Sequence, residues 1–208
     1  MGLDYSYLLF FRKEALRCVL EKLGEMASSV DAVRTIIRFP DGDLVLPLTA
    51  NQPGIAEFRY DAPEIHLAAT FLFNQDGAIS KYLGMSESLK KHSSLISDNR
   101  SEKAAIGLIY ITVLQNPGSY FQCELPPGLI ILNFKTPGSR MSILFQESLS
   151  IRREFIKFLE RYQGLAGVLD FEKETLELFW LKGMILGEEI PGKLVMLDEL
   201  KDLVKSVI

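Results

Sequence analysis

Histidine is scarce in this chain, and one of its two copies follows a carboxylate at a spacing of two. On a strand, Glu64 and His66 project to the same side, where they can share a proton or begin a metal site. Two ligands are too few for zinc, and spacing fixes no third, since Asp61 lies across Pro63 and His92 sits in a polar stretch. Cys18 and Cys123 are far apart, with no C-x-x-C pattern. Cys123 alternates with Phe121 and Leu125, which places it on an apolar strand face where a thiol is inert. The serines have no G-x-S-x-G elbow, and neither phosphate-loop glycine pattern occurs. The paired carboxylates Asp41/Asp43 and Glu172/Glu174 fall in tight turns, and Glu188-Glu189 before Pro191-Gly192 reads as a solvated loop. The expectation is a chain with no metal, no cofactor and no catalytic constellation.

What remains is an aromatic signal. Tyr5 and Tyr7 alternate on a first strand, Tyr110 and Thr112 on a later one, and Trp180 shares a face with Leu176 and Leu178. If these strands are neighbours, Tyr5, Tyr7, His66, Thr70, Tyr110 and Thr112 line a mixed polar and aromatic surface. Such a surface suits a protein partner or a small ligand. The plainer alternative is that the tyrosine rings fill the core with their hydroxyls at its rim.

These side chains must be positioned by regular elements, and the periodicity of the chain outlines them. Residues 3–11 alternate as a strand, and residues 12–27 follow as an amphipathic helix with Leu16, Val19, Leu20, Leu23 and Met26 in its stripe. Residues 33–39 and 44–48 form a hairpin around Asp41-Gly42, where glycine accepts the positive φ of a tight turn. Residues 65–73 are a further strand. Four more are expected at 106–114, 120–125, 129–134 and 141–146, separated by Pro-Gly turns and so antiparallel. A helix over 150–163 capped by Ser150, a hairpin over 168–181 and a short helix over 198–207 complete the chain.

The expected architecture is α+β, mostly antiparallel sheet with two amphipathic helices and a short C-terminal one. Strand, helix and hairpin occur at residues 3–48 and again at 141–181, an echo that admits two duplicated βαββ halves. These halves resemble ferredoxin-like units in topology alone, which carries no functional residues. The expected organisation is one half over 1–83, a polar connection over 84–104 and a strand-rich second half over 105–208, packed as one compact unit.

Composition narrows the function classes. Against 27 acidic residues stand 23 Lys and Arg, giving a net charge of −4. The basic cluster Lys90, Lys91, His92, Arg100 and Lys103 is interleaved with Glu87, Asp98 and Glu102. Nucleic acid is therefore not an expected partner. No apolar run approaches the ~20 residues of a membrane span, and the first residues do not resemble a secretory signal. The reading is a soluble, cytoplasmic, non-catalytic module that binds a protein partner or a second copy of itself. The alternative is a small-molecule-binding protein or enzyme with a pocket on the tyrosine-bearing sheet face.

Overall fold

The computed structural model describes residues 3–28, 34–51, 54, 56–84, 103–115, 128–172 and 175–191. The chain begins with β1 (Ser6–Arg12), a 3₁₀ turn (Lys13–Ala15) and α1 (Leu16–Met26). Next come β2 (Thr35–Phe39), β3 (Gly42–Leu46), β4 (Thr49–Ala50), β5 (Glu57–Arg59) and β6 (Glu64–Asn74). They are followed by α2 (Gly77–Gly84), β7 (Lys103–Leu114), β8 (Leu129–Lys135), α3 (Ser139–Glu147) and α4 (Leu149–Arg161). The last elements are β9 (Ala166–Asp170), β10 (Thr175–Leu181) and β11 (Met184–Pro191).

Among the described residues, eight strands form one sheet in the order β11-β10-β9-β1-β8-β7-β6-β4, with every neighbouring pair antiparallel. A second sheet of three strands has the order β3-β2-β5. The α+β reading holds. The first strand of the chain occupies the centre of the large sheet, so that a strand from the first half of the sequence is inserted between β8 and β9 of the second.

β1 is buried on both faces, and its alternation sorts the core into two clusters. Tyr7, Leu9 and Phe11 face the helices, packed with Leu16, Val19, Leu20 and Leu23 of α1 and with Phe155, Phe158 and Leu159 of α4. Leu8 and Phe10 face the other way, in a cluster with Leu114, Ile131, Val168, Leu176, Leu178 and Ile190. The helix-side cluster is aromatic at its centre. The Tyr7 ring lies 4.6 Å from Phe155 and 5.3 Å from Phe179, in tilted and edge-on contacts.

The structure corrects several sequence expectations. Residues 141–146 are helical, not a strand. Their buried positions, Met141, Ser142, Leu144 and Phe145, follow a helical spacing that so short and mostly apolar a run does not distinguish from a buried strand. The cap of α4 is Ser148, whose Oγ accepts from the Ile151 amide, and not Ser150. Glu188 and Glu189 lie on β11, an edge strand, not in a loop. The hairpin at residues 35–46 belongs to the three-stranded sheet, whereas β9 and β10 stand beside β1 in the large sheet. The echo in element order is therefore not matched by a shared strand order. The expected strand at 120–125 with Cys123, the helix over 198–207 and residues 85–102 of the polar connection lie outside the described residues.

Candidate functional site

Strand register decides which candidate side chains meet. On the face of the large sheet turned away from the helices, three cross-strand rows run from β6 towards β10. The first holds Glu64, Leu114, Ile131, Phe10 and Ala166. The second holds His66, Thr112, Asn133, Leu8 and Val168. The third holds Ala68, Tyr110, Lys135, Ser6 and Asp170. Polar side chains thus gather in the second row over β6, β7 and β8 and along the third row from β7 to β9, while the first row is apolar from β7 to β9.

Of the six residues singled out in the sequence, His66, Thr70, Tyr110 and Thr112 share this outer face. Thr70 stands where the β6–β7 register shifts, opposite Gly107. A Cβ on Gly107 would overlap the Thr70 hydroxyl, so the approach of the two strands there requires glycine. Tyr5 and Tyr7 are elsewhere. Their parity turns them to the helix side, and β8 stands between β1 and β7. Tyr7 is fully buried, donates its hydroxyl to the Phe145 carbonyl at 2.9 Å, and has its ionisation pushed up to about 12 by burial. Tyr5 packs edge-on against Phe171 at 5.3 Å, and its amide donates to Ser142 Oγ.

Two features give the outer face chemical content. The first is a chain of contacts in which Glu64 Oε2 lies 3.1 Å from His66 Nε2 and His66 Nδ1 lies 3.3 Å from Thr112 Oγ1. In the tautomer with its hydrogen on Nε2, facing the carboxylate, Nδ1 is the acceptor for the Thr112 hydroxyl.

The second is a hollow of about 350 Å³ where the third row ends, lined by Tyr110, Lys135, Thr136 and Ser139 with Leu3 and Asp4 on the entering chain. It is shaped by the turn from β8 into α3. There Ser142, buried inside the first turn of the helix, donates to the Leu3 carbonyl and exchanges a 2.8 Å hydrogen bond with Thr136. Ser139 Oγ accepts from the Leu3 amide at 2.8 Å. One Asp4 carboxylate oxygen is enclosed with no hydrogen-bond partner.

Sequence reasoning missed Lys135, Asp4 and Ser139. Each is an ordinary polar residue at an element boundary, and only the register of β8 between β1 and β7 brings them to Tyr110. No group of three His, Cys, Asp or Glu side chains among the described residues is placed to hold a metal ion. Comparison with known family models, with curated proteins and with solved structures finds no match for this chain.

Proposed function

We propose that the protein binds a small polar molecule in the hollow beside Tyr110. The observation that carries this reading is the hollow itself, about 350 Å³ with an ammonium, a carboxylate, two hydroxyls and a tyrosine on its walls. Its volume falls within the ~300–1,000 Å³ typical of ligand sites. Lys135 and the Ser139 hydroxyl suit an acidic group, and the Asp4 carboxylate on the same wall suits a donor such as an ammonium or hydroxyl. The favoured ligand therefore carries both kinds of group, as an amino acid or a hydroxy acid does. His66 and Tyr5 do not line the hollow, so the site is narrower than the six-residue surface expected from the sequence.

Thermal-shift screening against amino acids, hydroxy acids, sugar phosphates and nucleosides tests the proposal. A stabilising compound is expected from the first two groups, with its effect abolished in Y110A and K135M. No shift, or an equal shift in both variants, would overturn it.

A second reading, binding of a protein partner or a second copy, is favoured by a different observation. Met184 and Ile185 are 54% and 66% exposed on β11, whose outer edge has no paired strand among the described residues. The same strand carries a register shift opposite Leu178–Trp180 and the charges Glu188 and Glu189. Bulges and edge charges both oppose strand addition. The partner in this reading covers the hairpin tip and does not extend the sheet. A concentration series by light scattering, compared with I185K, measures it. No helix among the described residues is long and apolar enough to cross a membrane.

A further inference from the structure

We propose that Glu64, His66 and Thr112 form a relay that activates the Thr112 hydroxyl as a nucleophile towards activated acyl esters. The inference goes beyond ligand binding and rests on separate residues, in the two rows next to the hollow. Its basis is the order of the groups: carboxylate, imidazole, hydroxyl, at 3.1 and 3.3 Å. In this relay Glu64 favours the tautomer with its hydrogen on Nε2, where Nδ1 is the base facing the hydroxyl proton.

Strand geometry supports this order. His66 and Thr112 are direct cross-strand partners, and Glu64 is two residues before His66 on the same face. Such pairs are held by the sheet on both sides and need no loop to order them. The groups are also within reach of solvent, with the His66 and Glu64 side chains 28% and 43% exposed and Thr112 half-buried. Asn133 follows Thr112 in the row and brings a carboxamide to the same face.

The step balances without a co-reactant other than water. Thr112 Oγ1 attacks the ester carbonyl and a new C–O bond forms. The Thr112 proton passes to His66 Nδ1 and then to the departing alkoxide as the old C–O bond breaks. Water, deprotonated by the same ring, then releases the acid and restores the hydroxyl. Glu64 is a positioning residue, since it acts through His66 and not on the ester.

The test uses p-nitrophenyl acetate with the full chain at neutral pH, with the acetylated residue located by peptide mass spectrometry. Acetyl on Thr112 is expected, with release of p-nitrophenol lost in T112V, retained in T112S, and lowered about 10²–10⁴-fold in H66A. E64Q is expected to lower kcat with KM unchanged, and E64D to restore much of it. Thermal melts of each variant separate loss of chemistry from loss of fold, and T112S serves if T112V does not fold. Acetylation confined to lysines, or equal turnover in wild type and T112V, overturns the proposal. Both outcomes leave the hollow's ligand reading untouched, because neither variant alters Tyr110 or Lys135.

Discussion

Tyr7 and Asp76 show how single polar groups are tied into this fold. Tyr7 donates its hydroxyl to the Phe145 carbonyl among the rings of Phe145, Phe155 and Phe179, with Arg152 beside it, and burial holds the phenol neutral up to about pH 12. Replacing Tyr7 with Phe removes that bond, at an expected cost of about 1 kcal/mol near neutral pH. The alkaline limb behaves differently. With its folded value raised above that of the unfolded chain, Tyr7 contributes stability that is lost as pH rises from about 10 to about 12. Y7F should flatten that loss, and denaturant melts across the range check it.

Asp76 is a junction between two helices. It accepts from the Ile79 amide at the start of α2 and from the Ser148 hydroxyl and Ser150 amide at the start of α4. Partial burial works against its charge, but these donors together outweigh it and hold the carboxyl below its usual range. A lowered carboxylate contributes stability above its unfolded value that disappears as pH falls through the folded one. D76N is expected to cost about 1–2 kcal/mol at neutral pH and to narrow its gap from wild type as pH falls below the ordinary aspartate value of about 3.9. The Asp76 junction is not legible in the sequence, while the burial of Tyr7 matches the core-filling alternative and not the surface one, since alternation gives parity without saying which face the helices cover.

At the level of elements, α4 is joined to the sheet by an ion pair and by close packing. Arg152 grips Glu177 of β10 with two contacts of 2.6 and 2.8 Å, and its guanidinium lies over the Phe179 ring. Both side chains are about four-fifths covered, at 22% and 17% exposure. Removing one partner leaves the other charge poorly solvated, so R152M should destabilise by about 2–3 kcal/mol. The double variant R152M/E177L should recover much of that loss.

Gly167 marks the closest approach of β9 to α4, since a Cβ there would meet the Phe179 ring and Leu159. G167A is expected to cost about 1–3 kcal/mol through overpacking. Chemical denaturation of these three variants tests both statements. The strength of the amphipathic stripes explains why α1 and α4 were legible. The short run of α3 and the acidic strand β11 were not, because each carries the composition of a different element. A short, mostly apolar stretch fits helix or buried strand, and Gly187-Glu188-Glu189 looks like a turn until its pairing with β10 is known.

For the whole molecule, the consequence of the strand order is a core closed by both ends of the described sequence. β1 supplies both clusters and pairs with β8 and β9, so loss of the first strand would open the sheet at its centre. The antiparallel α+β class followed from periodicity and turn residues, which are local. The site did not, because Asp4, Tyr110, Lys135 and Ser139 meet only through non-local register. His66 and Thr112 were each visible in the sequence, yet their contact depends on a pairing across 46 positions.

The central claim is that ligand binding belongs to the outer face beside Tyr110. Its most direct measurement is mapping of backbone amide shifts by NMR while a stabilising amino or hydroxy acid is titrated in. The expected perturbations cluster at residues 3–6, 110–112 and 133–139, and vanish in K135M. Perturbations confined to residues 180–186, at the β10–β11 hairpin, would contradict the claim and move the binding site to the exposed apolar edge.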